Sequence, residues 1–423
     1  MMGIVLPILG TIMAPLAAVF MSDIVGPLHF IIGYDIALPI IIIWFINNTL
    51  NKRPMTFSPV DVSRHPDLPK PGYFRIGRKN IPVLPLAAAV AAVFLIVPVM
   101  YFLQNPELLV MSIGERGSLV EGSNIVSLTM SALIILGVGF GMSVYLIFSN
   151  IQRIRVQNRV QSVEGEFELA LFQLGNHIAA GTPTEVAIEK SIDDVKDLSI
   201  AGLFQMTLRN IRNLGMTFES ALFDEQYGSL KHYPSSLIRN IMYTIVDTAK
   251  KGVTYASESM LRIANYLKNI RETQEYIRDM LSETASSMKF QAYMLTPLIT
   301  GLIVSMADVI VRVLAAVGAY LEGLDIGPAM GLENISDVFG NMDASISPEI
   351  FQFIIGVYLI EILAILAMFI NKISVGENKI SMRYEMGKML LIGLVIYFLV
   401  AIGSSTVFGG LIRNALSSLG VLR

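Results

Sequence analysis

Seven runs of mostly apolar residues punctuate the chain, approximately Gly3 to Phe20, Leu28 to Ile46, Ile81 to Leu103, Ile125 to Phe148, Phe290 to Ala315, Ile350 to Ile370 and Met389 to Gly409. A bilayer core ~30 Å thick needs about 20 such residues at a helical rise of 1.5 Å. Each run therefore predicts a membrane-spanning helix. The first two are the weakest, because Met21 to Pro27 leaves a very tight turn and Asp35 lies inside the second. Met1 to Pro7 lacks the basic start of a cleavable signal, so the first run reads as a span.

Between the fourth and fifth runs the pattern changes. Ser149 to Met288 is polar, with fifteen Lys or Arg and seventeen Asp or Glu, and is large enough for a domain. Phe167, Ala170, Leu171, Leu174 and Ile178 stripe one face of a helix continuing out of the fourth span. Gly181 suits its left-handed end. In Thr182-Pro183-Thr184-Glu185 the spacing predicts a hydroxyl cap, a proline in the first helical position and a glutamate that bonds back. Phe204, Leu208 and Ile211 predict a third helix ending at Gly215, and Thr217 caps a short fourth over Phe218 to Phe223. Pro234 opens a fifth that stops at Gly252; Met260, Ile263, Leu267 and Ile270 line a sixth. No Gly or Pro interrupts that last helix between Met288 and Pro297, so it runs into the fifth span. No strand-like alternation appears, and the expected fold is all-α, a polytopic membrane protein with about seven transmembrane helices and one cytoplasmic helical bundle.

Charge sets the sidedness, since Lys and Arg are retained on the cytoplasmic side in short loops. Asn47 to Asn80 carries seven basic residues against two acids, and Asn371 to Lys388 four against two, so both read as inside. Leu321 to Glu349 has six acids and no Lys or Arg, and Gln104 to Asn124 one Arg against three Glu, so both read as outside. Alternation puts the N-terminus and the 149–288 insert inside and the tail outside, although Arg413 and Arg423 disagree. The organisation expected is a two-span hairpin over 1–46, a short basic loop over 47–80, two spans over 81–148, the bundle over 149–288, and three spans with an acidic outer loop, 321–349, over 289–423. The location expected is the cell membrane.

Composition agrees: 53% apolar, 15% charged and a mean hydropathy of +0.61, against about 45–50% and ~25% in soluble domains. A net charge of -3 offers no basic field for nucleic acid. The absence of cysteine excludes disulfides and thiolate chemistry, and four scattered histidines form no metal-ligating spacing.

Four motifs follow in order: Leu174 to Ile178 leading to Ala180-Gly181-Thr182-Pro183 and Ala187; Gly215-Met216-Thr217-Phe218-Glu219-Ser220-Ala221-Leu222; Gly252 leading into Leu261-Arg262-Ile263-Ala264-Asn265-Tyr266; and a span with Pro297 near its start. In that order they resemble the type II secretion F family, the membrane platforms of type IV pilus, archaellum and secretion machines. The match covers about Glu164 to Ile310, closer to the archaeal branch in its extra spans. The resemblance implies a scaffold without a catalytic site or cofactor that docks a cytoplasmic hexameric ATPase and passes its motion to pilin-like subunits. Many relatives carry two such domains, whereas 47–80 is too short for a second. A homodimer or pairing with a second F-family protein is therefore expected.

The chemistry candidates are few. Asp35, Asp308, Arg312 and Glu361 are ionisable residues inside spans, where charge is costly and often functional. Asp308 and Arg312 share a helix face at i, i+4 and suggest a structural ion pair that Glu361 could join; a secondary transporter using these three is the rival reading. No GxGD accompanies Gly33-Tyr34-Asp35 to support an intramembrane protease, and no Walker A loop exists, Gly387-Lys388-Met389 lacking its other parts. Gly137 and Gly141 form a GxxxG that favours close internal helix packing. Arg209, Arg212, Lys250 and Lys251 suit helix C-termini and are the candidates for docking an acidic ATPase surface.

Overall fold

A computed structural model describes residues 27–50, 65, 68–106, 124–323, 348–376 and 378–418. It is almost wholly helical, in the order α1 (Pro27–Phe30), a π-helical turn (Ile31–Ala37), α2 (Leu38–Leu50), β1 (Tyr73–Ile76), β2 (Lys79–Pro82) and α3 (Val83–Gln104). Then follow α4 (Asn124–Ala179), α5 (Thr184–Asp194), α6 (Ala201–Leu214), α7 (Phe218–Phe223), α8 (Ser236–Lys251), α9 (Val253–Phe290), a second π turn (Gln291–Leu295), α10 (Thr296–Gly323), α11 (Pro348–Ser374) and α12 (Lys379–Ser418). Six of the described helical stretches are long and apolar enough to cross a membrane. The first expected span, Gly3 to Phe20, and the interior of the 321–349 loop lie outside the described residues.

Among the described residues two large hydrophobic cores stand apart, with a small cluster about Val160 between them. One gathers Ile135, Ile355, Tyr358, Leu359, Leu394 and Tyr397 around α11, the helix buried on most of its circumference. The other joins Phe167, Leu171, Leu174, Ile188, Leu203, Phe204, Ile238 and Met242 within residues 163–267. Two helices link them. At 56 residues and 1.5 Å per residue α4 is about 84 Å long, roughly twice a bilayer with its headgroups, so its length alone carries it out of the lipid. α9 runs through the π turn into α10, and Pro297 explains that turn: it has no N–H for the carbonyl one turn back, and a wider turn accommodates the loss. Pro39 follows the first π turn in the same way.

The helix ends within the bundle follow the glycines. Gly181, Gly215 and Gly252 all take positive φ, at 80°, 63° and 137°. Thr182 N–H reaches back to His177 O (3.1 Å), which closes the end of α4. Thr217 caps α7, accepting from Ser220 N–H at 3.2 Å. Two expectations need correction. Thr182 does not cap α5; Pro183 stands at the cap position without a side-chain bond, and Glu185, instead of bonding back, accepts from Arg212 Nε at 2.7 Å. A neighbouring guanidinium outcompetes the local backbone for that carboxylate. The cap of α8 is Ser235, one residue past Pro234, accepting from Ile238 N–H at 3.1 Å.

The 47–80 loop is not wholly irregular, because β1 and β2 pair antiparallel around a two-residue turn at Gly77-Arg78, with Gly77 at φ 59°.

Candidate functional site

The junction between the two cores is built outward from α4. In the membrane part its small residues let neighbours approach. A Cβ at Gly141 would lie 2.8 Å from Ala91 Cβ, and one at Gly137 3.0 Å from Phe94 Cβ, so the GxxxG face seats α3. Gly139, facing the other way, makes room for Leu394 of α12. The expected internal packing role for this motif is what the structure shows.

Hydroxyls then fasten the same helices. Ser143 Oγ donates to Gly387 O (2.6 Å) and Ser127 Oγ to Glu349 Oε1 (2.7 Å). Ser305 Oγ donates to Ala401 O (3.0 Å) and also meets Ser404 Oγ. Beside them a small cavity is lined in part by Ser305, Gln352 and Ser405. Gln352 Oε1 and Ser405 Oγ are buried there without a hydrogen bond among the described residues. That space suits a single bridging water.

In the bundle α4 changes character. Glu164-Gly165-Glu166-Phe167-Glu168 puts Glu164 and Glu168 on one face of the helix and Glu166 on the opposite one, and each holds a different partner. Glu164 accepts from the hydroxyl of Ser235, the cap of α8. Glu166 Oε2 accepts from Ile200 N–H (3.0 Å) at the entry to α6. Glu168 lies 3.1 Å from Arg271 Nη1 of α9, which also donates to Gly165 O at 3.2 Å. Burial pushes the Glu164 carboxyl up from its ordinary value, and the Ser235 hydrogen bond offsets part of that. Nothing in the sequence periodicity singles these acids out.

The four candidate docking cations are mostly engaged. Arg212 pairs with Glu185 and bidentately with Glu189 (3.0 and 2.7 Å), clamping α6 to α5 and holding its guanidinium firmly protonated. Lys250 pairs with Glu219 at 3.0 Å, tying α8 to α7, and is raised by that bond. Lys251 lies 3.7 Å from Asp247 on its own helix. Arg209 is exposed and forms no ion pair among the described residues.

Of the intramembrane charges, Asp308 is 1% exposed on α10, while the side chain of Arg312 lies outside the described ones. Glu361 on α11 is near enough to Asp35, in the first π turn, for their charges to interact. Each keeps one shielded oxygen without a hydrogen bond among the described residues. The expected grouping of Glu361 with Asp308 and Arg312 involves the Arg312 side chain, which lies outside the described ones; the charge found near Glu361 is Asp35, in the π turn that packs on α11.

Among the described residues no cluster of three or more His, Asp or Glu is arranged to hold a metal ion. Compared with known families, curated proteins and solved structures, the chain matches none.

Proposed function

We propose that this chain is the platform protein of a type IV pilus-like, archaellum-like or type II secretion machine. In this reading the N-terminus and the bundle lie in the cytoplasm beneath a seven-span membrane domain. The bundle docks a hexameric ATPase, and pilin-like subunits engage the membrane part, with the platform acting as a homodimer or beside a second F-family protein. The supporting observation is the continuity of α4 and of α9 with α10, two rigid links between the bundle core and the membrane core. An ATPase that turns or tilts the bundle would move lipid-embedded helices without a flexible linker to absorb the displacement. Arg209, as the exposed cation of the docking set without an ion pair among the described residues, is the contact expected to matter most there.

A four-glycine insertion after Asn158, between the two cores, tests the link. Filament assembly is expected to fail while the ATPase still co-purifies with the chain. Normal assembly with the insertion, or no ATPase recovered with the wild-type chain, would count against the platform reading.

The nearness of Asp35 to Glu361 inside the membrane part favours a second reading, an ion or proton path. Proton uptake by proteoliposomes that disappears in Glu361→Gln would support it; uptake equal to that of empty vesicles would remove it.

A further inference from the structure

Residues 68–82 form a strap along the side of α4. Leu68 packs against Val160, and Pro69 O accepts from Arg153 Nη2 at 3.0 Å. Phe74 meets Phe148 edge to face, ring centroids 5.5 Å apart. The carboxamide of Gln152 serves as a surrogate strand for β1, accepting from Arg75 N–H (3.1 Å) and donating to Arg75 O (2.7 Å). Val83 N–H donates to Gly72 O at 2.9 Å, fixing the hairpin to the first turn of α3. The hairpin is thus held at the level of Phe148, where the apolar part of α4 ends and α3 begins.

Its pairing register puts Phe74, Ile76, Lys79 and Ile81 on one face. Phe74 is spent on Phe148, yet Ile76 and Ile81 are 59% and 40% exposed. Arg78 at the turn and Lys79 beside it are also exposed and have no acidic partner among the described residues. Two exposed isoleucines beside two cations, at the mouth of a span, match the layering of a bilayer: acyl chains, then headgroup phosphate.

We propose that the 73–82 hairpin docks on the adjoining leaflet, Ile76 and Ile81 entering the acyl boundary while Arg78 and Lys79 bind the phosphates of anionic lipids. The occupant is lipid because the hairpin is bonded to the start of an apolar helix, and its cations complement an anionic headgroup. The inference stands apart from the platform reading, since it requires only that α3 be embedded in lipid.

The chain contains no cysteine, so Ile76→Cys and, as a bundle reference, Tyr266→Cys can each be spin-labelled in the full-length protein. In nanodiscs of mixed phosphatidylcholine and phosphatidylglycerol the label at 76 is expected to meet oxygen more than a water-soluble nickel chelate, and the label at 266 the reverse. Wild-type chain purified from mixed lipid should retain phosphatidylglycerol preferentially. Arg78→Gln with Lys79→Gln should reduce that preference by about fivefold per charge removed, with the helical circular dichroism unchanged. Nickel access at 76 equal to that at 266, or lipid retention unaffected by the double substitution, would overturn the proposal. Displacement of the lipid by inorganic phosphate would identify a free-anion site instead and overturn it equally.

Discussion

The two cores are threaded by the same helix, yet they are joined by different means. Around the membrane part of α4 the fasteners are absent side chains and hydroxyls: Gly137, Gly139 and Gly141 admit α3 and α12, and Ser127, Ser131 and Ser143 donate to α11 and α12. In the bundle the same helix presents Phe167, Leu171 and Leu174 to a core, with carboxylates at its edges. The difference follows from the solvent. Lipid gives one apolar side chain no reason to leave it for another, so close backbone approach and hydrogen bonds must supply the attraction. Water expels large side chains, so the bundle is organised by volume and its polar groups orient the packing.

The largest effect that would sharpen this contrast is expected at Phe167, wholly buried in the bundle. Phe167→Ala should cost about 3–5 kcal/mol, seen as earlier hydrogen exchange across residues 163–267, with the membrane core unchanged. Gly139→Leu attacks the other core, because any side chain there collides with Leu394. Overpacking of this kind costs about 1–3 kcal/mol. A lower midpoint for detergent unfolding, with bundle exchange unaltered, is the expected reading. Equal disturbance of both regions by either substitution would mean that the cores are one cooperative unit. Smaller again is Gly165→Ala, where a Cβ meets nothing within 4 Å on the bundle portion of the same helix. There the substitution should stabilise by about 0.5–1 kcal/mol, measured by urea denaturation in detergent.

What could be read from the sequence was what depends on near neighbours. Gly181, Gly215 and Gly252 mark helix ends because a left-handed residue is a local requirement, and the Phe167 to Ile178 stripe shows the buried face because periodicity is local too. The hairpin was overlooked. Its strands are four residues each, too short to show an alternating pattern, although Gly77 between Tyr73–Ile76 and Lys79–Pro82 is the available signal. Glu164, Glu166 and Glu168 could not be assigned, since i, i+2, i+4 spacing puts the first and last on one face and the middle one on another, and their partners lie between 34 and 103 residues away, the farthest being Arg271 from Glu168. The electrostatic proximity of Asp35 to Glu361 is hidden for the same reason. The lengths of α4 and α9 were legible, because nothing between Ser149 and Gly165, or between Met288 and Pro297, breaks a helix.

A last distinction concerns pH, and it rests on the carboxylate that fastens α4 to the cap of α8. The folded protein holds the Glu164 carboxyl above its ordinary value, chiefly by burial, so the fold binds that proton more tightly than the unfolded chain does. Stability from this group is therefore fully present below the unfolded value and is lost as pH rises through the folded one. Wherever the side chain ionises it leaves a buried charge, a burden that its bond to Ser235 only partly relieves. Glu164→Gln keeps a carbonyl oxygen for the Ser235 hydroxyl and removes the charge. The variant should be more stable than the wild type at pH 7, and the gap should close as the pH falls towards the acid range. Bundle exchange rates followed across that range would reveal it, with the membrane core as the internal reference. A gap that stays constant with pH would mean that Glu164 is solvated like any surface carboxylate, and that the bundle's edges differ from the membrane seams in composition only.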